Sequence, residues 1–148
     1  MKRILIILAL LLLLGTGSIV RLFPSYSSVL ESNWDVSLPV KAVLTEVYSK
    51  QTEDSFHGDG IRYHIYSYRY EDYIDLMFAW SSNERKTIYY SSLSETASAW
   101  LDEIEVPITE RPKYYACSNW YRSQSDNSEI IIFWDSEINM LYIIESFI

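Results

Sequence analysis

Residues 114–147 read YYACSNWYRSQSDNSEIIIFWDSEINMLYIIESF, and their reading decides the fold. Tyr114–Arg122, Glu129–Trp134 and Met140–Phe147 are runs of aromatic and β-branched residues, side chains that pack well on a pleated surface. Ser123–Ser128 and Asp135–Asn139 between them are rich in Ser, Asp and Asn, whose short polar groups bond to nearby backbone and turn the chain. Short strands on short links pair antiparallel. The C-terminal third therefore predicts a three-stranded meander.

Upstream the period changes. Ser92-Leu93-Ser94-Glu95 has the S-x-x-E form of a capping box, and Leu93, Ala97, Trp100, Leu101 and Ile104 behind it share one helical face. Pro107 ends this helix, and Pro112 keeps residues 105–113 extended or irregular. Tyr70, Tyr73, Ile74, Met77 and Phe78 also stand at helical spacing, yet Leu76 and Trp80 fall off the stripe, so residues 70–80 read as helix or as strand. Two further β-rich runs precede them. Val40–Ser49 places Ala42, Leu44 and Tyr48 on one face and Val43 and Val47 on the other. Ile61–Tyr70 places Arg62, His64, Tyr66, Tyr68 and Tyr70 together. A polar connection with Gly58 and Gly60 joins them as a hairpin, the glycines supplying positive φ at the corner. The expected fold class is α+β: an antiparallel sheet of about five strands with one or two helices packed on one face.

The N-terminus is of another kind. Residues 4–14, ILIILALLLLL, follow the basic pair Lys2 and Arg3, the arrangement of an export signal. With Gly15–Val20 the run approaches the lower limit for spanning hydrocarbon, and Arg21 can snorkel to the interface. Cleavage after Gly17 or Ser18 is the competing reading, although no A-x-A site is present. Lys2 and Arg3 hold the start inside, so the rest faces outward. This divides the chain into residues 1–23, a signal anchor or signal peptide; 24–39, a serine-rich stalk in which Trp34 docks onto the body; and 40–148, a single extracytoplasmic domain. The expected localisation is the cell membrane, single-pass with the C-terminal domain outside, or secretion if the signal is removed.

Beyond residue 23 the chain carries nine basic against twenty acidic residues, a net charge of −11. That disfavours nucleic acid, whose binding requires neutralised phosphates, and disfavours anionic headgroups and wall polymers. A cationic peptide, a neutral sugar or a divalent cation is compatible with it. The only cysteine is Cys117, so no internal disulfide forms and the fold rests on its core. Thirteen Tyr, five Trp and five Phe supply that core. Cys117 itself reads as a small buried hydrophobe.

One cluster has the residue types for a site: His57, Asp59, Arg62 and His64. Two imidazoles and a carboxylate are the minimum set for an open catalytic metal centre, but Asp and Gly also make any sharp loop. Tyr66 and Tyr68 beside them offer a stacking platform for sugar or peptide, or cover for the core. No nucleophile elbow, phosphate loop, dinucleotide fingerprint or H-E-x-x-H is present, so no catalytic residue, metal or cofactor is expected.

The segment S-F-H-G-D-G-I-R-Y-H (55–64), the later W-L-D-E-I-E-V-P-I-T-E-R-P-x-Y (100–114) and the closing L-Y-I-I-E-S-F-I (141–148) resemble small exported or membrane-tethered proteins of Gram-positive bacteria with an F-H-G-D-G corner. The resemblance covers most of residues 40–148 and implies no activity and no functional residue. The expected function is a non-enzymatic, membrane-tethered envelope domain that binds a protein or cationic peptide, an immunity or inhibitor role being one version. The alternatives are a metal-assisted hydrolase on His57, Asp59 and His64, and an aromatic-platform sugar binder.

The anchor reading has a direct check. The mature chain keeps its N-terminus and fractionates with membranes; a freely secreted form starting at Ser18 or Ile19 would contradict it.

Overall fold

A computed structural model describes residues 25–39, 44–53, 58–69, 72–79 and 87–148. The chain divides into two compact units, Met1–Leu38 and Pro39–Ile148. The apolar run 4–14, and the whole expected anchor with it, lies outside the described residues. Among those residues no helix is long and apolar enough to cross a membrane.

In the first unit the serine-rich stretch expected to be a stalk forms a helix, α1 (Tyr26–Trp34). Ser25 caps it by accepting the Ser28 N–H, and Asp35 ends it in the left-handed region with its N–H on the Glu31 carbonyl. Leu30 and Trp34, one turn apart, are both buried.

In the second unit the elements run β1 (Thr45–Gln51), β2 (Gly60–Ser67), α2 (Asp72–Asp75), α3 (Thr87–Glu103), β3 (Ser118–Ser123), β4 (Glu129–Asp135) and β5 (Met140–Phe147). All five strands join one antiparallel sheet in the order β1-β2-β5-β4-β3. β1 and β2 make the expected hairpin, and β3-β4-β5 the expected meander. β5, last in sequence, is central: Tyr63 of β2 lies opposite its Ile144, and Ile144 lies opposite Ile131 of β4.

Alternation sorts the sheet into two faces. Ile61, Tyr63 and Ile65 of β2, Ile131 and Phe133 of β4, and Tyr142 and Ile144 of β5 form one core with Leu93, Ala97 and Leu101 of α3 and with Ile104 just beyond it. The helical face is the one read from the sequence, except that Trp100 is only partly buried at the edge of the cluster. The opposite face holds Ile130, Ile132 and Trp134 of β4 with Leu141, Ile143 and Glu145 of β5, all buried.

The end of α3 is tightly bound. Glu105 adopts φ 54°, the Glu105 N–H bonds to the Asp102 carbonyl and the Val106 N–H to that of Leu101, which is the Schellman arrangement. A left-handed residue other than glycine costs about 1–2 kcal/mol. Arg111 offsets that cost. Its guanidinium donates to the Val106 carbonyl at 2.6 and 2.9 Å, to that of Leu101 at 3.3 Å, and to Asp102 Oδ1 at 2.6 Å. Hydrogen bonds to a charged group contribute about 1.5–3 kcal/mol each, and a cation at a helix C-terminus is favoured by the dipole. Lys50 of β1 adds a bond from its ammonium to the Glu105 carbonyl at 2.8 Å.

Several expectations need correction. The S-x-x-E pattern at Ser92 is interior to a helix that already runs from Thr87; such spacing is a cap only where the preceding backbone is non-helical. Tyr114–Ala116 is a 3-10 turn and β3 starts at Ser118, because the Ala116 and Cys117 amides bond back to Lys113 and Tyr114. β1 begins at Thr45, with Val40–Val43 outside the described residues. A bulge between Glu46 and Tyr48 resets its alternation, leaving Val47 half exposed. Residues 72–75 are a four-residue helix on which Ile74 is buried and Leu76 beyond it exposed. α2 and α3 do not share a face of the sheet. Trp134 projects opposite to the α3 side, and its buried indole N–H needs an acceptor, which Asp75 of α2 provides at 3.0 Å. Gly58 and Gly60 do take positive φ, 90° and 113°. A methyl on Gly60 would also meet Thr52 Oγ1 at 2.9 Å.

Cys117 sits in the core cluster, and burial pushes its thiol up to about 12, with Asp135 adding to the rise. Burial likewise raises the Tyr142 phenol to about 12. Both are acids whose neutral form the fold favours, against unfolded values of about 8.5 and 10. Their stabilisation is complete below about pH 8.5 and is lost as pH rises toward 12. The melting temperature should therefore fall above about pH 9, and Cys117 should resist a thiol reagent at pH 8.5 until the chain is unfolded. Rapid labelling of the native protein would contradict this packing.

Candidate functional site

Polar chemistry gathers where β1 crosses β2, on the face away from α3. Glu46 lies opposite Tyr66, and Ser49 opposite His64, on either side of the β1 bulge. The extra residue at the bulge brings Glu46 within reach of both β2 side chains. His64 Nδ1 is 2.5 Å from Glu46 Oε1, and the Tyr66 hydroxyl donates to the same oxygen at 3.5 Å. The two rings stack, 6.3 Å between centroids and 15° between planes. Burial raises the Tyr66 phenol well above its ordinary value, and the Glu46 carboxylate and its hydrogen bond raise it further. Tyr66 is therefore a hydrogen-bond donor at any physiological pH.

Only part of the sequence-derived cluster comes together. His64, Tyr66 and Arg62 share this face of β2, with Arg62 opposite the buried Glu145 and its guanidinium 4.5 Å from the Phe147 ring centroid. Tyr68 leaves the group: it stacks on Trp134 at 4.7 Å, and its N–H bonds to the Asn139 carbonyl. Asp59 is exposed at the other end of β2, before Gly60. Gly60 and His64 are themselves separated by about 13 Å of strand. His57 lies outside the described residues. Among the described residues no group of three or more His, Cys, Asp or Glu side chains is placed to hold a metal ion. Tyr66 and Tyr68 are only 9% and 4% exposed, so these two do not form an open stacking platform.

A carboxylate on His64 Nδ1 is the orienting half of a nucleophilic triad. Ser49 is the hydroxyl residue across from His64 in the β1–β2 register. What the geometry supplies is a clasp holding the edge strand to its neighbour. Glu46 was not singled out in the sequence, because its role depends on the bulge, which pairing creates and composition does not announce.

A second feature lies at the end of β1. A cleft of about 270 Å³ is lined by Lys50–Glu53 and by Glu103–Glu105 at the end of α3. Three carboxylates, Glu53, Glu103 and Glu105, stand on exposed residues there, beside the negative pole of the helix. The one ammonium in the lining, that of Lys50, is bonded to the Glu105 carbonyl. Among the described residues β1 pairs with β2 alone, so its far side is an edge of the sheet. No family model, no curated protein and no solved structure matches the chain.

Proposed function

We propose that the chain is a membrane-tethered domain of the cell envelope, facing outward, that binds a protein or peptide and does not transform it. Residues 1–23 are the tether, and the envelope setting follows from the export-type start and from the likeness to small tethered proteins of Gram-positive bacteria. The observation that carries the binding role is the exposed outer edge of β1, a strand that among the described residues has one bonded neighbour and a cleft at its end. An open edge offers a row of backbone donors and acceptors to an added strand. The Glu46–His64–Tyr66 cluster ties that strand to β2.

The test is made in intact cells. A photo-crosslinking residue in place of Val47, half exposed on β1, should yield one discrete adduct, and the same residue in place of Glu137 in the β4–β5 turn should not. Protease added outside should reach the C-terminal domain. A domain shielded from external protease, or a His64-dependent hydrolysis of esters or peptides, would contradict the proposal.

A further inference from the structure

We infer that the β1 edge accepts an extended cationic segment of a partner protein as a sixth strand, with one of its Lys or Arg side chains seated in the cleft among Glu53, Glu103 and Glu105. This rests on the binding role proposed above and names the class of partner.

The edge itself selects an extended segment. The bulge at Val47 disturbs the first half of β1, as bulges on edge strands do. Beyond it Tyr48, Ser49, Lys50 and Gln51 run in unbroken register against Ile65, His64, Tyr63 and Arg62. These four residues lead into the cleft, whose lining begins at Lys50. Lysine on an edge strand ordinarily wards off pairing by projecting its charge across the edge. Lys50 is drawn away to the Glu105 carbonyl and leaves the edge open.

Charge selects the sign. The cleft lining holds three glutamates and one lysine, and the ammonium of that lysine is already bonded to the Glu105 carbonyl at the end of α3. An entering guanidinium or ammonium meets acceptors on both walls, whereas a carboxylate or phosphate would be repelled. The opposite edge of the sheet differs in charge. On β3 the guanidinium of Arg122 lies 5.1 Å from the Trp120 ring centroid, and the same ring stacks with Phe78 at 4.3 Å. The net charge of −11 beyond residue 23 adds steering toward a basic partner, and such steering weakens with salt.

The experiment uses the full-length chain in a nonionic detergent and an octapeptide of alternating lysine and valine. Binding is followed by fluorescence anisotropy, and amide exchange is read residue by residue. The peptide should slow exchange at Tyr48–Gln51, and binding should weaken at least tenfold when Glu53, Glu103 and Glu105 are together replaced by Gln. These residues are exposed, and an unchanged melting temperature shows that the variant is folded. Equal protection by an alternating serine–valine peptide, or indifference to the triple substitution, would overturn the cationic preference and leave edge binding standing. Failure of every extended peptide to protect Tyr48–Gln51 would overturn edge binding as well.

Discussion

The strand at the C-terminus of the chain, β5, lies in the middle of the sheet, bonded to β2 on one side and β4 on the other. Everything else in the second unit is arranged around it. Leu141–Glu145 are buried without interruption, as are Ile130–Asp135 of β4 beside it. With both faces covered, these strands read as continuous apolar runs rather than as alternation. The early hairpin and the late meander are separate until β5 joins them. Its pairing with β2 closes a loop of more than seventy residues, so the entropy of bringing distant segments together is met largely by this one strand.

The end of α3 is the second fixed point, and it links the core to the surface. Arg111 holds the helix terminus from the linker, Lys50 holds it from β1, and the Tyr63 hydroxyl donates to the Glu110 carbonyl at 2.6 Å. Strand, helix and linker thus converge on a few carbonyl groups. The same convergence creates the cleft: a helix that stops beside the end of an edge strand leaves a recess between them, and the acidic residues at both ends line it. Fold and candidate binding surface have one origin.

How much of this was legible follows from where each signal resides. β5 was read at its observed bounds, and β4 to within a residue, because an apolar run between turn formers has no other use in a short segment. The buried face of α3 was legible from its spacing, and the positive φ of Gly58 and Gly60 from the residue type. The bulge at Val47 was not, since it is a property of two strands together. Nor was the left-handed Glu105, where the signal would have been glycine. The role of Arg111 is visible only in the folded chain, where its guanidinium binds the helix end. Of the candidate site, His64, Tyr66 and Arg62 were found by alternation. Glu46 and the Glu53/Glu103/Glu105 cleft were not, because they join residues far apart in sequence.

Native-state hydrogen exchange, resolved by residue, tests the central position of β5 most directly, since protection reports the stability of each paired segment. The account predicts that the amides of Leu141–Glu145 are among the slowest in the chain and exchange only with global unfolding, while edge-facing amides of β1 exchange by local opening. Exchange of β5 as fast as β1, with β2 and β4 protected independently of it, would contradict the sheet order on which the account stands.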